Sequence, residues 1–180
     1  MKEYTVDLGK KIVVYDDVFD LHYREFLYDA VTKAKFSIGW TDGDSIERQQ
    51  HKYLYSEFNQ ADLDYLKLLE KIARSPVQQE INDYKISKVV LNLSTPSDTH
   101  FVHTHPEDKV VLYYANLHWN NCWYGETLFF DETEKNIVLA TPYTPGRITV
   151  FDATIPHTIR PQSHTAPHYR FTLAMVFNKC

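Results

Sequence analysis

Cysteine is scarce in this chain: of 180 residues only Cys122 and Cys180 carry a thiol. That is too few for a disulfide framework or a CxxC zinc site, and it fits a reducing, cytoplasmic setting. Lysine and arginine form no block, and the formal net charge is -5, so nucleic acid and anionic membranes are disfavoured as partners. No apolar run approaches the roughly 18 residues of a membrane span. The opening "MKEYTVDLGKKIVVYDD" intersperses charge where a signal peptide keeps an uninterrupted apolar stretch. A soluble, unexported protein is expected. There is also no internal repeat and no low-complexity tract, which makes residues 1–180 a single domain.

What the chain does have is apolar and aromatic surface. The hydrophobic share is 43% and the aromatic share 14%, with 13 Tyr and 10 Phe, which favours a globular protein rich in β-structure. "KIVVY" (Lys11 to Tyr15) reads as a strand. Asp20 is placed to cap a helix running to about Lys35, with Phe26, Leu27, Ala30, Val31 and Ala34 near helical spacing. Ser37 to Asn59, with Gly39 and Gly43, reads as a long connection, either flanking a substrate entrance or simply crossing the surface. "ADLDYLKLLEKIA" sets Leu63, Leu66, Leu69 and Ile72 on one helical face, with Asp62 and Asp64 in the first turn and Pro76 beyond its end.

From Tyr84 the period changes to eight short β-like runs, from "KISKVVLNL" and "THFVHTH" to "PHTIR" and "YRFTLAMVF", separated by turn chemistry such as "STPSD" and "TPYTPG". Helices first and antiparallel strands after give a mostly β fold with N-terminal helices: a helical buttress over residues 1–83 and a β-sandwich core over 84–180.

Nine histidines are present. His22, His51 and His118 read as ordinary polar side chains, and His164 and His168 as members of a Pro-rich loop. His103 and His105 differ, because alternation along a strand turns both toward one face, where they can touch one ion. A third ligand must come from elsewhere, and His157, at a strand start after "TPGRITVFDATIP", is the best candidate. Imidazole suits Fe, Zn, Cu or Ni, and two imidazoles with one carboxylate mark the non-haem Fe(II) oxygenases. In the last strand Arg170 and Thr172 share a face, and an arginine there can clamp a carboxylate in bidentate fashion.

In order, these residues resemble the iron(II)- and 2-oxoglutarate-dependent oxygenases, in particular the prolyl-hydroxylase-like branch that includes many short phage and bacterial proteins. The family pattern is His-x-Asp, a strand ending in Tyr-Leu-Asn, a Trp shortly after, Gly-Gly-Glu-Thr-x-Phe, Pro-Gly-x-x-x-x-Phe, Pro-His, and a final strand opened by Arg-Tyr. This chain offers "HTH" or "HPE", "YYAN", Trp119, "YGETLFF", "PGRITVFD", "PHTIRP" and "YRFTLAMVF", from about Val89 to Phe177. The resemblance implies a double-stranded β-helix, or jelly roll, holding Fe(II), with 2-oxoglutarate as cosubstrate. Arg170 would pair with the distal carboxylate of that cosubstrate, assisted by Tyr114 and Thr172. The implied reaction is hydroxylation of a C–H bond, of a peptidyl proline or another protein residue, with release of succinate and CO2.

The chain departs from the family at the carboxylate. With His103 as first ligand, His105 takes the Asp position and the set is His103, His105 and His157. With His105 first, Glu107 supplies the carboxylate. His105 is a ligand under either alignment, and the first is preferred because it keeps family-like spacing before "FVH". Tyr124 also stands where the family has the first of two glycines. Two other readings compete: a cupin-type metalloprotein, such as an isomerase or a cofactor-independent dioxygenase, and a non-catalytic jelly-roll binding module. The substrate is a peptide, a protein or a small molecule.

Overall fold

β6 (Lys109–Tyr114) is buried along its whole length, although an antiparallel strand with one wet face would alternate. Both of its faces are therefore covered. Val111 and Tyr113 join one apolar cluster with the helices. Val110, Leu112 and Tyr114 join a second, which faces the other sheet. Lys109, the one charged residue of the strand, pairs with Asp152 at 2.8 Å.

The coordinates are a computed structural model describing residues 1–6 and 9–180. Among the described residues the elements run β1 (Lys2–Thr5), β2 (Lys11–Tyr15), α1 (Leu21–Thr32), β3 (Ser37–Trp40), α2 (Ile46–Gln49), β4 (Tyr53–Glu57), α3 (Gln60–Leu66) and α4 (Leu68–Ala73). β5 (Tyr84–Ser94), β6, β7 (Thr127–Phe130), β8 (Ile137–Thr141), β9 (Ile148–Asp152), β10 (His157–Ile159) and β11 (Arg170–Lys179) follow. Eight strands form the major sheet in the order β1-β2-β9-β6-β11-β5-β4-β3, and three form the minor sheet in the order β10-β7-β8. The pairings are antiparallel, and the two sheets face each other as in a jelly roll. Leu27 and Val31 of α1, Leu66 of α3 and Leu68 and Ile72 of α4 cover the outer face of the major sheet. Each such side chain contributes about 1.5–3 kcal/mol by leaving water. No helix of the described residues is long and apolar enough to cross a membrane.

Several elements differ from the reading of the sequence. α1 begins where expected, with Asp20 accepting from the Tyr23 N–H at 2.9 Å, but it ends at Thr32 rather than near Lys35. Ser37 to Asn59 is not a plain connection: it holds β3, α2 and β4, and β4 pairs with β5 through Leu54 opposite Leu93 and Tyr55 opposite Asn92. The first 83 residues thus carry strands β1 to β4 as well as helices. Short edge strands of this kind take their stability from the neighbour they join, so the local sequence announces them poorly. "THFVHTH" forms no regular strand, only an isolated bridge from His103 to His157.

The helix expected over residues 61–73 is two helices. Lys67 stands between them in the left-handed conformation, with φ of 52°. The break turns the following helix, so that Leu68 is buried and Leu69 only half-buried. A Cβ at such a φ costs about 1–2 kcal/mol, partly offset in glycine by about 0.5–1 kcal/mol of extra chain entropy. Lys67→Gly is accordingly expected to stabilise the fold by up to about 1 kcal/mol, read as a higher urea midpoint at unchanged slope.

Candidate metal centre

The backbone brings the three histidines together before their side chains do. His103 and His157 exchange both backbone hydrogen bonds, each 3.0 Å, and the His105 N–H donates to the Ala153 carbonyl at 3.0 Å. The ring centroids then lie 4.5 Å apart for His103 and His157, and 5.1 Å apart for each pair that includes His105. The candidate ligand atoms of all three residues fall within 4.8 Å of one another.

Two of the rings are held in a defined tautomer. His103 Nδ1 lies 3.0 Å from the Phe101 carbonyl and His157 Nδ1 lies 2.8 Å from the Ile155 carbonyl. A carbonyl only accepts, so each Nδ1 carries the hydrogen and donates, leaving the Nε2 lone pair for an ion. Phe151 packs edge-on against His157 at 4.8 Å. Burial, followed by the neighbouring His103 and His105, holds His157 well below the ordinary imidazole pKa. Burial and then His103 lower His105 to about 4. Both are neutral near pH 7, the form a metal requires.

Glu107 lies outside this cluster. Its Oε1 is 2.9 Å from Lys88 Nζ, and its Oε2 is buried without a hydrogen-bond partner among the described residues. Burial works against its charge, but the hydrogen bond and charge of Lys88 prevail and keep the carboxyl below its usual range.

Arg170 and Thr172 share the inward face of β11, and Thr172 lines the cavity that the three histidines border. The Arg170 side chain is fully buried. Its Nε donates to the Gly125 carbonyl at 3.0 Å, while Nη1 and Nη2 have no partner among the described residues. Gly125 is required here: at φ of 84°, an added Cβ would stand 3.2 Å from Arg170 Cδ and Nε. The guanidinium carbon sits 4.6 Å from the ring centre of Tyr143 and 5.7 Å from that of Tyr114. Tyr114 Oη donates to Thr127 Oγ1 at 2.8 Å and lies 2.9 Å from Thr141 Oγ1.

Two polar residues beside the histidines escaped the reading of the sequence. Asp42, between β3 and β4, accepts at Oδ2 from the Phe101 N–H at 2.8 Å, and the same oxygen lies 2.8 Å from Tyr53 Oη, which also contacts the Thr99 carbonyl at 2.5 Å. His100 stacks on Tyr53 at 4.8 Å, with Nε2 buried and unpartnered. Nothing in "TDGDS" separates Asp42 from its acidic neighbour Asp44, and His100 stood as one histidine among nine.

The depressed imidazoles make stability pH-dependent. Between pH 6.5 and about 4 the unfolded chain takes up protons at His105 and His157 that the metal-free fold refuses, so stability falls as pH falls through this window. His105→Gln is expected to reduce that slope, measured from urea midpoints of metal-free protein at several pH values.

No family model matches the sequence, and no curated protein matches it significantly. Solved structures do match the fold. A 2OG-Fe(II) oxygenase family oxidoreductase from Burkholderia pseudomallei superposes with a TM-score of 0.67 at 13% identity, covering 96% of this chain and 86% of that one. HygX from Streptomyces hygroscopicus, solved with nickel and 2-oxoglutarate bound, gives 0.65 at 10% identity, covering 93% and 82%. A prolyl hydroxylase from Trichoplax adhaerens, in complex with a hypoxia inducible factor peptide fragment, gives 0.59 at 13%, covering 93% and 83%. The chain therefore has the jelly-roll fold seen in 2OG-Fe(II) oxygenases and prolyl hydroxylases, with three histidines gathered inside it.

Proposed function

We propose that residues 1–180 form one catalytic domain, an Fe(II)- and 2-oxoglutarate-dependent oxygenase that hydroxylates a C–H bond. The observation that carries this reading is the fully buried guanidinium of Arg170, whose Nη1 and Nη2 lack partners among the described residues, in the same fold as a cluster of three histidines. A buried cation with a free planar fork suits a carboxylate, since it costs several kcal/mol until an anion pairs with it. The donor set suits Fe(II) as well: imidazoles in the neutral form, two of them with Nδ1 committed to carbonyls.

His103, His105 and His157 would hold the metal. Arg170, with Tyr114 and Thr172, would receive the distal carboxylate of 2-oxoglutarate. Together the bound metal and cosubstrate supply the oxidant, coupling reduction of dioxygen and oxidative decarboxylation to succinate and CO2 with insertion of one oxygen atom into the substrate. The chain's own part is placement and exclusion. The Phe101 and Ile155 carbonyls fix two ring orientations, Phe151 shields His157 from water, and the Gly125 carbonyl aims the guanidinium. A peptidyl proline or another protein residue is the proposed substrate class, supported by the Trichoplax neighbour and its peptide.

Anaerobic addition of Fe(II) and 2-oxoglutarate should produce a visible charge-transfer band, and air should then give slow succinate formation. Absence of both with metal bound would leave the cupin-type reading in its place. Arg170→Ala should retain metal but weaken 2-oxoglutarate about 100-fold or more; iron loss with unchanged cosubstrate affinity contradicts the assigned role. His103→Ala should empty the metal site while Glu107→Ala keeps it, as measured by iron content, and the reverse pattern would make Glu107 the ligand.

A further inference from the structure

The three proposed ligands are all imidazoles, so the metal's two positive charges meet no negative charge among them. A carboxylate stands just outside. Asp42 is 8% exposed, and its Oδ1 lies 3.5 Å from His103 Nδ1. Among the described residues it forms no ion pair with lysine or arginine. Arg48, the nearest cation on its own segment, donates instead to the Asp42 backbone carbonyl at 2.8 Å. A buried carboxylate without a cation is costly, and the cluster beside it is where a cation is expected.

We propose that Asp42 is a positioning residue for the metal centre, supplying from outside the ligand set the negative charge that three imidazoles lack. The inference rests on the metal-centre reading above. Asp42 reaches His103 in two ways. Its Oδ1 faces the Nδ1 edge of the ring directly. Its Oδ2 accepts the Phe101 N–H at 2.8 Å, while the Phe101 carbonyl accepts from His103 Nδ1 at 3.0 Å. One side chain therefore anchors the residue that orients the ligand and places a charge beside the ligand's hydrogen-bonded edge. A carboxylate next to a ligating imidazole raises its basicity and hence its hold on the ion. Tyr53 stands against the carboxylate in turn, its Oη 2.8 Å from Oδ2 and 2.5 Å from the Thr99 carbonyl, and its ring is backed by His100.

Asparagine at position 42 keeps the shape and an oxygen able to accept from the Phe101 N–H, and removes the charge, with an NH2 group in the place of Oδ1. The test is calorimetric titration of the metal-free full chain with Co(II), without cosubstrate. Wild type should bind one Co(II), and His157→Ala should abolish binding. Asp42→Asn should melt within about 4 °C of wild type yet bind Co(II) about 10–100-fold more weakly. With iron, its Fe(III)/Fe(II) midpoint potential should move to more positive values, because removing a nearby negative charge disfavours the more highly charged ion; a change in packing alone would not impose that sign. Wild-type affinity and an unchanged potential in Asp42→Asn overturn the proposal. Should that variant fail to fold, Asp42→Ser serves: it removes the carboxylate and introduces no bulk, so Co(II) should again bind about 10–100-fold more weakly, and wild-type affinity overturns the role. A wild-type chain that binds no Co(II) removes the metal-centre reading itself, an outcome distinct from either variant's.

Discussion

A reciprocal pair of backbone hydrogen bonds between His103 and His157, each 3.0 Å, governs the interior of this protein. The pair seats the segment around His103 against β10, at the edge of the minor sheet, where a further regular strand would otherwise lie. Its register decides which side chains face inward. A slip of one residue would turn exposed Thr104 into the cluster and His103 and His105 toward solvent. The His105 N–H to Ala153 bond secures the same register one alternation further on. The imidazole cluster is thus a consequence of sheet pairing, and the fit of the rings to one another follows from it.

The surrounding sandwich makes the electrostatics of the site possible. One apolar cluster locks the helices onto the major sheet, and a second fills the space between the sheets. Inside that low-dielectric interior lie groups that a core built only for stability would lack: a guanidinium at Arg170 whose Nη1 and Nη2 have no hydrogen-bond partner among the described residues, and imidazoles pushed to their neutral form. The buried carboxylate of Asp42 belongs to the same set. Such groups persist where the rest of the fold holds them against their cost. Their opposite signs suit opposite tasks in the proposed chemistry, a cation for an acidic cosubstrate and an anion near a metal.

Legibility in the sequence followed the strength of local signals. β5, β6, β7, β9 and β11 were readable because dense β-branched and aromatic runs lie between turn-forming residues, and α1 because Asp20 caps a periodic apolar stripe. β3 and β4 were not, since "SIGW" and "YLYSE" lie among glycines and charges and become strands only by adding to the edge of β5. The break at Lys67 was hidden because lysine is a good helix former, and its left-handed backbone lies between two buried residues, Leu66 and Leu68, whose burial is a tertiary property. Likewise the His103 segment has the alternation of a strand, yet it meets its partner at a single bridge.

By itself the sequence determined the order of chemical groups along the chain: an alternating histidine pair, a later histidine after Pro-Gly and Pro, and an arginine opening the last strand. Spacing and alternation, which are local properties, were enough for a β-sandwich buttressed by helices; the jelly roll came from the family resemblance that this order of groups carries. Only the tertiary structure decided which polar groups share a space. It paired Glu107 with Lys88 and drew Asp42 to the edge of His103 from a distant loop. It also left Nη1 and Nη2 of Arg170 without a hydrogen-bond partner among the described residues. Contacts of this kind depend on how two sheets close over one another, and no local pattern encodes that closure.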